Sequence, residues 1–156
     1  MLAFRVLALD PAPFRPLYGL DDAVLEAMGA SPTIVRRTPG YPCRVSLRDA
    51  EPGERVILLN YEHLDGKTPY RSRHAIFVRD GAERAEPGVD ELPPYLERRL
   101  LSVRAFDASK RMLAADVVEG RSARALFALL LGTPETSFLH VHNAREGCYL
   151  ARVERA

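Results

Sequence analysis

Four histidines, two cysteines and a scatter of arginines carry most of the reactive chemistry available to this 156-residue chain. The densest group lies near the C-terminus, where His140, His142, Asn143 and Cys148 follow one another, with His63 and His74 upstream. Side chains alternate along a strand, so His140 and His142 share one face. Two imidazoles so placed can take one transition-metal ion, given further ligands from elsewhere. His63, His74 and Glu62 are the obvious donors, although the tight Cys-x-x-Cys and His-Glu-x-x-His spacings are absent. Cys148 offers a second chemistry. If the connection between the last two strands is odd, either 143–147 or three residues with Gly147 in a bulge, Cys148 lies beside His142, which then serves as base to a nucleophilic thiol. An even connection reverses this, and a free Cys is also commonly just a small half-buried hydrophobe. Asn143, next to His142, should point to the opposite face and so is poorly placed to orient it.

A third chemistry is ligand capture. Arg44, Arg71 and Arg73 stand near strand ends that also carry Tyr41, Tyr70 and His74, and a guanidinium fork suits a carboxylate or phosphate. The plainer role for such arginines is surface pairing, worth about 0–1 kcal/mol a pair. The expected ligand-binding set is Tyr41, Arg44, His63, Arg73, His74, His140 and Asn143, with Cys148 and His142 as the catalytic pair. The leading expectation is a small polar or anionic molecule held between the Cys43-Arg44 strand, the His63 and His74 strand ends and the last hairpin, with conversion by Cys/His chemistry. A metal-dependent enzyme using His140 and His142, and a non-catalytic interaction module, stand beside it. Neither a cofactor nor an oligomeric state can be read from the residues. A Gly-rich phosphate loop, a Gly-x-Ser-x-Gly elbow and a dinucleotide fingerprint are all missing, which disfavours the commonest nucleotide enzymes.

The elements that must position these residues are mostly strands. The pattern predicts a strand over 3–9, a Pro11/Pro13/Pro16 loop, and a short helix capped by Asp21 or Asp22, striped by Val24, Leu25 and Met28 and stopped by Gly29. It then predicts a rigid Pro39–Arg44 segment, a strand at Val45–Leu47, a 49–54 turn, and strands at 55–61 and 73–79. Glu62 and His63 then close the 55–61 strand. The stretch 82–94 reads as a mobile surface loop. A hairpin over 100–107 and 111–118 follows, then a helix over 122–131 with Ala123, Leu126, Phe127, Leu130 and Leu131 on one face, stopped by Gly132. Strands at 137–142 and 148–153 close the chain, the second burying Tyr149, Ala151 and Val153 with Leu139 and Val141. The fold class is α+β, a mostly antiparallel sheet with one or two packed helices, in a single domain spanning 1–156.

Composition excludes several classes. Hydrophobic residues make up 47% and charged residues 28%, enough for a packed core. Twenty-two Lys and Arg against 21 Asp and Glu leave a net charge of +1, without the field that would draw the chain to nucleic acid or an anionic membrane. Arg5 and Asp10 interrupt the apolar N-terminus, so it fails as a secretory signal. The run Leu126–Leu131 is far shorter than the roughly 20 residues a bilayer needs. Two cysteines do not make a disulfide framework, and a reducing cytoplasm is the expected home.

Taken together, Pro39-Gly40-Tyr41-Pro42-Cys43-Arg44, Leu58-Leu59-Asn60-Tyr61-Glu62-His63, His74-Ala75-Ile76-Phe77, and His140-Val141-His142-Asn143-Ala144 through Gly147-Cys148-Tyr149 resemble the bacterial family catalogued as domain of unknown function 1203. The likeness runs over essentially the whole chain. It implies a compact bacterial protein of about this size and carries no activity, cofactor or catalytic residue with it.

Overall fold

A computed structural model describes residues 1–156 as two five-stranded sheets. The first runs in the order β1 (Phe4–Leu7), β10 (Tyr149–Arg155), β9 (Phe138–Asn143), β7 (Leu100–Phe106) and β8 (Met112–Glu119), antiparallel throughout. The second runs β2 (Ser31–Ile34), β5 (Arg55–Leu64), β6 (Ser72–Arg79), β3 (Pro42–Cys43) and β4 (Arg48–Asp49). It contains one parallel contact, between β3 and β6. Helices are short: α1 (Asp22–Ala27), α2 (Pro94–Glu97) and α3 (Ala123–Leu131). This is an α+β fold with few helices, and no helix is long and apolar enough to cross a membrane.

The main core lies on one face of the first sheet. Val103, Ala105, Leu139, Val141, Ala151 and Val153 alternate inward and meet Ala123, Phe127 and Leu131 of α3, the stripe that the helical spacing predicts. Leu126 and Leu130 pack against its edge. The opposite face carries Phe138, His140 and His142 on β9. Their register partners on β7 are Phe106, Arg104 and Ser102. Most α+β sheets leave such a face wet. Here it is covered by the β5–β6 hairpin, so His140 and His142 are 2% and 1% exposed rather than lining a polar surface.

Several expected elements move. Val45–Leu47 is not a strand: the chain turns there between the two-residue strands β3 and β4, with Leu47 at φ 51°. In α1 Leu25 alone is buried, and Val24 and Met28 point outward. Asp21 makes no side-chain cap, and Asp22 pairs with Arg55. The 82–94 stretch is anchored. Asp90 accepts from the Phe4 amide and its own amide donates to the Phe4 carbonyl, while Ala82 and Leu92 are buried. Strand β2 carries Pro32 and is mostly exposed, which the sheet tolerates because β2 is its edge.

Candidate functional site

Alternation on β5 and a β-bulge in β10 place the reactive side chains. β5 runs to Leu64 instead of stopping at Tyr61, and its register with β6 slips between Glu62 and Leu64, so His63 is the extra residue. A bulge re-aims one side chain without ending the strand. His63, two residues beyond Tyr61, lies by ordinary alternation on the face where Tyr61 and His74 pair across the ladder, and the slip turns Leu64 to that face as well. In β10 the slip falls at Leu150, between Tyr149 and Ala151. One extra residue reverses the alternation on its N-terminal side. Ala151 and Val153 stay in the core, and Arg152 stands opposite His140, as alternation predicts. Tyr149 instead pairs with His142 and stacks on the His63 ring, at 5.2 Å between centroids and 10° between planes. The expectation that Tyr149 buries with Leu139 and Val141 is thus corrected.

The same slip relocates the thiol. The Asn143 amide donates to the Cys148 carbonyl, which leaves a four-residue turn, 144–147. Cys148 is therefore paired with Asn143 rather than His142, and the expected Cys148–His142 dyad does not form. His142 Nδ1 is bonded to the Gly147 carbonyl at 2.9 Å. Gly147 holds φ +79°, a conformation that glycine adopts at little cost. The Cys148 sulfur accepts from Arg44 Nη2 and from Asn143 Nδ2, each at 3.1 Å. Asn143 is therefore the thiol's neighbour.

Arg44 is 1% exposed and has no carboxylate partner. Its Nε donates to the Tyr149 carbonyl at 2.7 Å and its Nη1 to the Pro42 carbonyl at 2.5 Å. A buried cation left without a counter-charge is costly. Cys148 Sγ is the only atom among its hydrogen-bond partners that can become anionic.

That sulfur opens onto a cleft of about 400 Å³ walled by Arg44, Arg98, Arg99, Arg145, Asn143 and His74, with Leu58, Ala75 and Phe77 as an apolar side. Arg99 grips Asp49 through both carboxylate oxygens, and Arg98 lies 3.5 Å from the same group. Arg145 is exposed and makes no ion pair, and the cleft's one acidic wall residue is Glu146. Counting Asp49 and Glu146 against four guanidiniums leaves two positive charges in excess, so the cleft favours an anion.

Behind His74 lies the imidazole cluster. His63 Nε2 and His74 Nδ1 are 3.2 Å apart, and one ring nitrogen from each of His63, His74 and His142 falls within 4.8 Å of the other two. His140 sits beside them, its centroid 5.8 Å from that of His63. Burial, which disfavours the charged ring, lowers His63 to about 4, His142 to about 3 and His140 to about 2, with neighbouring histidines or Arg104 adding to it. All three rings are thus neutral at pH 7.

The family described as protein of unknown function (DUF1203) matches residues 40–155. The chain belongs to the DUF1203 family. The match covers β3 to β10, and so every strand that bears a histidine or a cysteine, and leaves residues 1–39 outside it. No curated protein and no solved structure matches the chain.

In this DUF1203 chain the expected residues divide into three groups. Arg44, Asn143, His74 and Cys148 meet at the cleft, and His63, His74, His140 and His142 meet behind it. Tyr41 and Arg73 belong to neither. Tyr41 packs edge-on to Phe77 at 5.1 Å, in a small core with Val35, Ala50 and Val56. Arg73 shares a face of β6 with Ala75 and Phe77 but lies beyond the cleft's walls, where it bonds Asn60. Arg71 lies at the same hairpin and pairs with Glu62. Missing from the expected set are Arg98, Arg99 and Arg145. Arg145 lies inside the 143–147 connection already singled out, whereas Arg98 and Arg99 follow α2, whose four residues give no helical period to read.

Proposed function

We propose that the cleft binds a small anionic molecule and presents the Cys148 sulfur to it as a nucleophile. Buried Arg44 carries the reading: it has no acidic partner and is hydrogen-bonded to that sulfur, so an anionic sulfur would supply the missing counter-charge. The excess of guanidinium charge on the walls supports an anionic ligand, and the Leu58, Ala75 and Phe77 side supports a short apolar portion. In the chemical step the sulfur lone pair forms a bond to an electrophilic carbon, and the leaving group departs with its bonding pair. The leaving group takes its proton from water in the cleft. A reducing cytoplasm, which would keep both cysteines free, is the compartment that fits.

Inorganic phosphate and succinate test the binding half. A ligand at ten times its Kd stabilises by about 1.4 kcal/mol, an upward shift of roughly 3–5 °C in melting temperature for a chain of this size. We expect such a shift with at least one of the two in protein treated with chelator, and a smaller one in Arg145→Ala. No shift with either anion, or an equal shift in Arg145→Ala, overturns the reading.

A further inference from the structure

We infer that His63, His74 and His142 form a binding site for one divalent transition-metal ion of the zinc class, at the inner wall of the cleft. The three residues come from separate strands, β5, β6 and β9, so only the packing of one sheet on the other assembles them. Their ligand atoms already lie within 4.8 Å of one another. A tetrahedral ion with Zn–N bonds of about 2.0–2.1 Å needs them roughly 3.4 Å apart, a contraction that small ring rotations supply. His63 and His74 already meet that spacing, at 3.2 Å.

Two observations separate this cluster from an ordinary buried polar network. First, His142 donates Nδ1–H to the Gly147 carbonyl. That bond fixes the tautomer that leaves Nε2 as a bare lone pair, as outer-sphere carbonyls do for metal-bound histidines. Secondly, the rings converge from three strands: the His63 centroid lies 5.4 Å from that of His74 and 5.0 Å from that of His142.

No carboxylate joins the set. Glu62 faces outward with Arg71 and Arg73, and Arg104 and Arg152 stand on the covered face of the first sheet. The site is therefore charge-deficient and calls for an anionic fourth ligand, either hydroxide or an oxygen of an anion bound in the cleft. Three neutral histidines with an open position make a catalytic rather than a structural set. His74 lines the cleft, which puts the open position within reach of its contents. In this respect the inference extends the anion-binding reading, but the metal site stands on its own geometry.

The test is equilibrium dialysis of the chelator-treated protein against Zn2+ alone, with metal counted by elemental analysis, and against Co2+ alone, whose visible bands report coordination number. We expect one equivalent of either ion, with four-coordinate cobalt bands. His74→Ala, at a half-buried position, should weaken zinc by more than about 100-fold, beyond the 10–100-fold typical of outer-sphere changes. His140→Phe, which keeps the ring packing against Phe106 and Phe138, should keep the equivalent. If His74→Ala fails to fold, His63→Gln serves in its place. Substoichiometric zinc, octahedral cobalt, or unchanged affinity in a folded His74→Ala or His63→Gln overturns the inference. The phosphate and succinate shifts are read in chelator, so either result can fail without the other.

Discussion

Acid should weaken the metal-free protein well above the pH at which its carboxylates titrate. His140 and His142 are 2% and 1% exposed, and burial lowers them to about 2 and about 3 from an ordinary 6.5. In both, the unfolded chain binds the proton more readily, so stability rises with pH between the folded and unfolded values. It is fully present above 6.5 and is lost progressively as pH falls toward 3. At pH 5 each ring has cost about 2 kcal/mol, and the pair about 4 kcal/mol, at 1.36 kcal/mol per unit. That is a large part of the roughly 5–15 kcal/mol holding a domain together. Half-buried His63 acts in the same direction. Glu54, held at about 2 by its hydrogen bond to Arg48, loses its contribution only below its ordinary 4.5 and leaves this window untouched. Urea unfolding followed by circular dichroism at pH 7.5, 6 and 5, with chelator present, reads the loss. His140→Phe should roughly halve it. A loss below about 1 kcal/mol between pH 7.5 and 5, or the same loss in His140→Phe, refutes the reasoning.

Other outcomes follow from particular contacts. A Cβ on Gly120 would lie 2.0 Å from the Leu96 carbonyl oxygen and 2.7 Å from that of Glu97, so Gly120→Ala should cost about 3 kcal/mol or more by thermal melting. Asp49, 2% exposed in its side chain, holds Arg99 and Arg98. Asp49→Asn should destabilise by about 3 kcal/mol, yet tighten phosphate binding by titration, because two guanidiniums beside the cleft lose their counter-charge. Arg44→Met should slow alkylation of Cys148 by about tenfold or more, since a charge-assisted bond to the sulfur is worth about 1.5–3 kcal/mol. Arg73→Ala, beyond the cleft's walls, should weaken phosphate binding less than Arg145→Ala does.

Alternation and helical spacing made much of the fold legible. Leu139, Val141, Ala151 and Val153 could be assigned to the core, and Ala123, Phe127 and Leu131 to a helix face, because each obeys a fixed period. The candidate site was only half legible, because it depends in part on a departure from period. The bulge at Leu150 inserts a residue whose position local residue types do not mark. Reading β10 without its bulge put Tyr149 in the core and Cys148 beside His142. Reading β5 as ending at Tyr61 left His63 at a strand end instead of in the cluster. Arg44 was recognisable as a ligand-binding residue by type alone. That it is buried without a carboxylate follows from long-range packing against Tyr149 and Cys148, 105 and 104 residues away.

A pair of alkylating agents of nearly equal size probes the reactive sulfur inside the cationic cleft. Cys43 is fully buried, so modification reports Cys148. With the sulfur's own charge set against Arg44, one surplus positive charge remains, and at about 6 Å from an anionic reagent it is worth roughly 0.7 kcal/mol even at the dielectric of water, or about threefold in rate. Relative to a small free thiol, Cys148 should therefore favour iodoacetate over iodoacetamide by about threefold at pH 7 and low salt, and the preference should shrink in Arg145→Ala. The rate ratio of the free thiol, or a further bias toward the neutral amide, would contradict the account.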